Sequence, residues 1–331
     1  MRKPASVLIA TAIVLFGLFS CRKAAVPQAG SAKAKDLLSL LPKDARGVVV
    51  VDVHRIMQTQ AVTKAIAENK NKEKYDEFVR QTGIDPQKDV YFFVGAMTGD
   101  LGQNVQEGVA LVNLRYDKDG LLALIQKEGR ELTSSEYNGF TIYEDVEAAA
   151  KKPAGGAFLD ASNIILGSPD AIKKVIDVYQ KKADNIWKND ELSRLLEGMN
   201  TESMVWGAFA VPPDALKQAA SQNPMLQNFA DINAVILSFD YKNQIILAEV
   251  KAMSPDAAKN KQMADALNGL KMLGAAAAAK EPQFGELLDK IEISSAADHV
   301  KVAANLPEEL LQNLGEKMKM KKAEEKPPQE D

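Results

Sequence analysis

Cysteine and histidine are scarce in this 331-residue chain, which contains one cysteine, Cys21, and two histidines, His54 and His299. A zinc site of the Cys/His type needs several such ligands, and an internal disulfide needs two cysteines, so the sequence excludes both. The GxSxG, Walker A and GxGxxG motifs are also missing. We therefore expect neither a metal ion nor a bound cofactor.

One short segment has a catalytic pattern. In Asp52-Val53-His54 the first and third residues share a face if the strand continues, so Asp52 could orient His54 beside a serine. No nucleophile can be identified, however, and a strand end followed by a helix start accounts for both polar residues. We predict no catalytic residue. The competing hypothesis is a carboxylate-dependent hydrolase of an envelope polymer, for which two facing carboxylates about 5–9.5 Å apart would be the sign.

Neither sign of charge is in large excess. The formal net charge is -4, and removal of residues 1–20 takes away two basic residues and no acidic one, which changes it to -6. A mildly acidic body has no general attraction for nucleic acid, so we expect no nucleic-acid partner. Hydrophobic residues make up 46% and charged residues 26%, which is typical of a soluble domain with a core.

The first 21 residues have three zones. Arg2 and Lys3 provide a positive start, and an apolar run over residues 5–19 follows. This run is short for a membrane-spanning helix, which needs about 20 residues, and has the length of a signal peptide. It ends in Leu18-Phe19-Ser20-Cys21, which resembles the lipobox that bacterial signal peptidase II cleaves, with Phe19 departing from the usual smaller residue. The alternative is an uncleaved anchor helix with an incidental cysteine.

The lipobox resemblance implies a bacterial lipoprotein that is cleaved before Cys21 and carries lipid, including palmitate, on that residue. The membrane is then a partner through the lipid anchor. Residue 22 is arginine rather than aspartate, which resembles lipoproteins that go to the outer membrane. We therefore expect an exported protein of the cell envelope that faces the periplasm.

The composition changes along the chain and predicts its organisation. We assign residues 1–20 to the signal peptide, 21–39 to the lipidated cysteine and a flexible tether, 40–200 to a first α+β lobe, 201–316 to a second, and 317–331 to a disordered tail.

Strands and helices alternate in both lobes. Residues 157–176 and 291–311 share a strand, a polar turn, a strand and a proline-acid helix start, which favours an internal repeat. Each lobe is expected to be a mostly antiparallel sheet with helices on one face, of ferredoxin-like or split-βαβ character. Residues 157–176 also resemble an element of uncharacterised exported bacterial proteins, and that resemblance implies no activity.

These observations favour a non-enzymatic binding or scaffolding module of the envelope. Trp187 and Trp206 flank the link between the lobes and are candidate contacts for an apolar ligand there, because pockets favour domain interfaces. Ordinary packing is the alternative role for both tryptophans. The alternative partner is an envelope protein bound by a scaffold.

Lipidation provides the first testable prediction. Cells that express the protein and are fed a palmitate analogue should label the wild type and leave Cys21→Ala unlabelled, because the single thiol is the acylation site. Equal labelling of the two proteins would contradict the lipobox assignment.

Overall fold

The structure is a computed structural model that describes residues 31–98, 107–127, 131–145, 154–212, 216–217, 220–221, 224–278 and 282–315. The signal peptide, most of the tether and the predicted tail lie outside these residues. The fold is α+β, as predicted. The chain divides into two compact units, Met1–Ala210 and Val211–Asp331. The division falls ten residues after the predicted one, so the strand over residues 205–210 belongs to the first unit.

The first unit contains one antiparallel sheet. Its strands are β1 (Ala45–Asp52), β2 (Val90–Thr98), β3 (Glu107–Leu114), β4 (Leu132–Tyr137), β5 (Phe140–Asp145), β6 (Gly155–Phe158), β7 (Asn163–Gly167) and β8 (Val205–Ala210). They lie in the order β8-β1-β2-β3-β7-β6-β5-β4, and each neighbouring pair is antiparallel. The mostly antiparallel sheet predicted for this lobe is confirmed, and its ferredoxin-like or split-βαβ character stays a prediction.

Strand β1 forms for the reason seen in its sequence. The run Gly47-Val-Val-Val-Val is rich in β-branched residues, which favour a pleated surface. The strand is paired on both sides, with β2 and β8. Val48 and Val50 are 1% exposed, while their neighbours Val49 and Val51 on the other face are only half-buried.

Helices surround this sheet. They are α1 (Ser31–Leu38), α2 (Val53–Met57), α3 (Gln60–Ala67), α4 (Asn69–Thr82), α5 (Pro86–Asp89), α6 (Lys118–Lys127), α7 (Pro169–Tyr179), a 3₁₀ turn (Ile186–Lys188) and α8 (Asp190–Glu197). Helix α7 begins as its sequence predicts: the Ser168 hydroxyl accepts a hydrogen bond from the Ala171 N–H at 3.3 Å, and Pro169 is the first helical residue.

Helices cover both faces of this sheet, which corrects the prediction of helices on one face. Leu121 of α6 packs with Val112 and Ile164 on one face. On the opposite face, a Cβ added to Gly155 would lie 3.5 Å from Ile172 of α7. Strand β7 is therefore buried on both sides: residues 163–166 are all buried, and residues 164–166 form the apolar run of a doubly covered strand.

The second unit contains a smaller antiparallel sheet with the order β9-β10-β12-β11. Its elements are a 3₁₀ turn (Pro224–Phe229), β9 (Ala234–Lys242), β10 (Ile245–Met253), α9 (Ala257–Ala277), α10 (Pro282–Asp289), β11 (Ile291–Ser295), β12 (His299–Pro307) and a final helical stretch over residues 308–315. Its hairpins are β9–β10 and β11–β12, and the second contains the strand–turn–strand pattern noted in the sequence of residues 291–311. Met263 and Ala264 of α9 pack with Val300 of β12.

The internal repeat is not confirmed. Among the described residues the first unit has eight strands and the second has four. The shared strand–turn–strand–helix order does occur, since β6, β7 and α7 correspond to β11, β12 and residues 308–315. A duplication of the whole lobe stays a prediction.

A buried amide network fixes the turn between β6 and β7. Asn113 is fully buried, and its Nδ2 donates to Asn163 Oδ1 at 2.8 Å and to the Ser162 carbonyl at 3.1 Å. Asn163 Nδ2 donates in turn to Asp160 Oδ2 at 2.7 Å. Because Asn113 and Asn163 are paired in the β3–β7 register, this network joins the turn to the sheet.

Removal of this network should destabilise the first unit. Asn113→Ala leaves the buried Asn163 oxygen without its donor, which should lower the free energy of unfolding by about 1–3 kcal/mol in urea denaturation. Asn163→Ala should have a similar effect. The double variant should lose clearly less than the two single losses together, because the side chains interact. Strict additivity would contradict the coupling.

Candidate functional site

Small residues collect on one face of the first sheet. The register sets Gly47 opposite Met97, Gly95 opposite both Val49 and Ala110, and Met97 opposite Gly108. Residues opposite each other in neighbouring strands point to the same side of the sheet. The centre of this face therefore carries hydrogen atoms or methyl groups where a strand normally carries branched side chains.

Gly47, Gly95, Gly108 and Ala110 form the floor of a cavity of about 540 Å³, which lies wholly in the first unit. We call these residues the glycine-rich floor. Its walls are mostly apolar. Helix α6 contributes Leu122 and Ile125. The larger lining side chains of the strands are Val49, Phe93, Met97, Leu132, Tyr143, Phe158, Ile164, Leu166 and Phe209. Such a volume and lining are typical of sites for small apolar ligands.

The floor glycines have different physical roles. A Cβ at Gly108 would meet only the Ala96 carbonyl oxygen, at 3.8 Å, so a side chain there has room to grow. A Cβ at Gly95 would lie 3.2 Å from Val49 Cγ1, which is tight. At Gly47 it would lie 2.3 Å from Phe209 Cδ1 and collide with the ring. Gly47 thus allows Phe209 to reach the cavity, while Gly108 leaves open space.

The cavity has few polar side chains. Among its described lining residues, the ionisable ones are Tyr143 and Asp145. A glycosidase requires two facing carboxylates. The described residues of the lining supply one, Asp145. The described lining is therefore suited to an apolar molecule.

A second, more open recess of about 350 Å³ adjoins the first. It is lined by Tyr116, Lys118, Phe158, Asp160 and Ala161, and we call it the polar recess. Phe158 lines both spaces. Its ring stacks on Tyr116 with centroids 5.5 Å apart and meets Tyr143 edge-on at 5.9 Å.

Tyr116 is held in place between the recess and the core. Its hydroxyl donates to the Asp160 carbonyl oxygen. Burial, together with the Asp160 charge, raises the pKa of the Tyr116 hydroxyl, so this group is neutral at physiological pH. The hydrogen bond therefore fixes the Tyr116 ring, on which the Phe158 ring packs.

A family model for proteins of unknown function, DUF3352, matches residues 4–320. This chain belongs to that family. No curated protein matches this chain.

Solved structures include distant neighbours of this DUF3352 protein. Crystal form III of TP0453 is 12% identical, with a TM-score of 0.46, over 83% of this chain and 95% of that one. Crystal form I of TP0453 is likewise 12% identical, with a TM-score of 0.45, over 83% of this chain and 94% of the other.

The two tryptophans singled out in the sequence lie in the first unit and do not line the cavity. Trp206 is 2% exposed and shares the opposite sheet face with its β1 partner Val50. The Trp187 indole N–H donates to the Ser39 hydroxyl at 2.9 Å, which ties the 3₁₀ turn to the end of α1. Both side chains thus have packing contacts, and a ligand contact between the lobes stays a prediction for them.

Cys21 and the cleavage-motif residues Leu18, Phe19 and Ser20 lie outside the described residues, so their roles also stay predictions. Among the helices of the described part, none has the length and apolar character needed to cross a membrane.

Asp52 and His54 are not arranged as a catalytic pair in the described structure. Asp52 caps α2, since its Oδ1 accepts a hydrogen bond from the Arg55 N–H at 2.9 Å. Burial raises the pKa of the Asp52 carboxyl, against the opposing effects of that hydrogen bond and of the nearby cations. The His54 Nδ1 is buried without a hydrogen-bond partner, and the His54 ring lies against Tyr91 with centroids 5.8 Å apart.

His299 lies in the second unit, where its Nδ1 is 2.7 Å from Asp298 Oδ1. Its side chain is 22% exposed. Within the part of the chain that the structure describes, no group of three or more His, Cys, Asp or Glu residues is placed to hold a metal ion.

The cavity in the first unit was not predicted from the sequence. The signal for it was present as glycine and alanine at alternate positions of otherwise bulky strands, as in Gly95 of β2 and Ala110 of β3. These residues become a floor only when the pairing of the strands is known.

The histidines should be dispensable. In the double variant His54→Gln, His299→Gln, the free energy of unfolding should fall by no more than about 1 kcal/mol, because His54 loses ring packing and His299 is near the surface. Urea denaturation measures this change, and binding of an apolar probe should be unaltered. Stoichiometric zinc in the purified protein, or lost function in the folded double variant, would restore the enzymatic hypothesis.

Proposed function

We propose that this DUF3352 protein is a non-enzymatic envelope lipoprotein, anchored through lipid on Cys21 at the periplasmic side of the outer membrane, whose first unit binds an apolar ligand. The cavity of about 540 Å³ carries this proposal. Its location differs from the sequence expectation, which put an apolar ligand between the lobes.

Burial of a ligand there is favourable for a simple reason. Transfer of apolar surface from water into such a lining is worth roughly 25 cal/mol per Å². A ligand that covers the half-buried residues Phe93 and Met97 gains this from both partners. The floor of small residues provides the room that the ligand needs.

A membrane anchor complements such a site. Apolar molecules are sparingly soluble in water and concentrate in bilayers, so a tether that holds the binding unit near a membrane raises the local supply of ligand. The segment from Cys21 to residue 30 has the small and polar composition of a flexible spacer.

The cavity can be tested by filling it. The neutral fluorophore N-phenyl-1-naphthylamine should bind the soluble wild-type form with increased emission. Gly108→Leu should weaken binding at least tenfold, because its side chain grows into space that the ligand needs. Ala110→Leu, at a half-buried floor position, should act in the same direction.

The matched control is Gly269→Leu. Gly269 lies on α9 in the second unit, and a Cβ there meets nothing within 4 Å, so the same substitution is made at a position outside the cavity lining. This variant should bind like the wild type. Absence of probe binding by the wild type, or equal binding by all four well-folded proteins, would contradict the proposed function.

A further inference from the structure

The wall formed by α6 carries a charge at one end of an apolar stripe. Lys118, Leu122 and Ile125 are spaced i, i+4 and i+7, so they lie along the same side of the helix. Leu122 and Ile125 line the apolar cavity, and Lys118 lines the polar recess. The helix therefore presents a cation one turn beyond the last apolar contact.

Phe158 is the wall shared by the two spaces, and Lys118 lies directly over it. The Lys118 ammonium is 5.3 Å from the centroid of the Phe158 ring. The ring also borders the cavity that contains Leu122. A molecule that runs from the cavity past Phe158 would thus bring its end to the Lys118 ammonium.

Within the described part of the chain, the Lys118 ammonium has no carboxylate partner. Its ammonium makes this cation–π contact and no ion pair there. The nearby carboxylates have other partners: Asp160 accepts from the Ser162 N–H at 2.8 Å and from Asn163 Nδ2, and Asp117 accepts from the Asp119 N–H at 3.2 Å. A cation without an ion pair beside an apolar space is suited to an anionic group.

Two carboxylates also line these spaces. Asp145 lines the apolar cavity and would repel an anion placed beside it. Asp160 lines the polar recess, where its carboxylate oxygens accept hydrogen bonds from the Ser162 N–H and from Asn163 Nδ2. Lys118 is the cation among the described residues of the two linings, so the anion-binding end is at Lys118.

We propose that the ligand is a single-chain amphiphile with an anionic head, a carboxylate or a phosphate. Its alkyl chain lies in the cavity against Leu122 and Ile125, and its head lies in the polar recess against Lys118. This inference rests on the proposed function and adds the class of ligand to it.

The test compares heads on one chain. Dodecanoate, dodecyl phosphate, dodecanol and dodecyltrimethylammonium, each below its micelle concentration, compete with bound N-phenyl-1-naphthylamine. The two anions should bind about fivefold more tightly than the alcohol, as expected for a partly exposed ion pair, and the cation should bind most weakly. Whether carboxylate or phosphate binds better identifies the head. Salt at about 1 M should reduce the preference for anions.

The variants assign this preference to one residue. Lys118→Gln should bind the anions and the alcohol equally while its alcohol affinity stays near wild type, and Lys118→Arg should restore the preference. Lys127→Gln removes an exposed cation from the other end of the same helix and should keep it.

The failures of the two proposals are distinguishable. If dodecanol binds the wild type as tightly as the anions, or if Lys118→Gln keeps their advantage, the assignment of the head is wrong while the cavity stands. If the probe binds in the cavity and none of the four amphiphiles displaces it, the class of ligand is wrong while the cavity stands. If the wild type does not bind the probe, both proposals are wrong.

Discussion

The register between strands β1, β2 and β3 is the constraint on which the rest of the first unit depends. Because the side chains of a strand alternate, this register places Gly47, Gly95 and Gly108 on one face and Val48, Val94 and Val109 on the other. A slip by one residue would exchange the two sets and put bulky side chains into the cavity. The same pairing therefore makes a filled core on one side and an open site on the other.

The turn between β6 and β7 extends this constraint to the edge of the cavity. The amide network from Asn113 through Asn163 to Asp160 anchors the turn, and Phe158 precedes it directly. A network that begins at the fully buried Asn113 thus determines the position of the Phe158 ring. Tyr116 and Tyr143 then hold the ring from two sides.

Much of the fold could be predicted from local patterns, because β-branched runs and helix caps act over a few residues. Strand β1 and the Ser168-Pro169 start of α7 are confirmed examples. Strand β4 was missed because its residues Leu132–Tyr137 are mostly polar, although Asn138-Gly139 is a strong hairpin signal. Both residues have positive φ, 50° and 84°, as a type I′ turn requires.

The candidate site was beyond prediction from the sequence for a physical reason. A cavity is a property of pairing between distant segments, such as Gly95 with Ala110 and Ala110 with Leu166. A single glycine in a strand indicates a bulge or a close approach equally well. The second candidate feature, Lys118 above Phe158, joins residues 40 positions apart, and neither residue is unusual in its own segment.

The glycine floor also links folding to the supply of ligand. Each glycine within a strand costs roughly 0.5–1 kcal/mol relative to alanine, so this sheet gives up stability in order to keep its face open. A bound molecule that fits only the folded state returns free energy by mass action, about 2.7 kcal/mol at a hundred times its dissociation constant. Under the proposed function, a chain with bound ligand would resist proteases longer than an empty chain, and the abundance of the protein would follow the supply of its ligand.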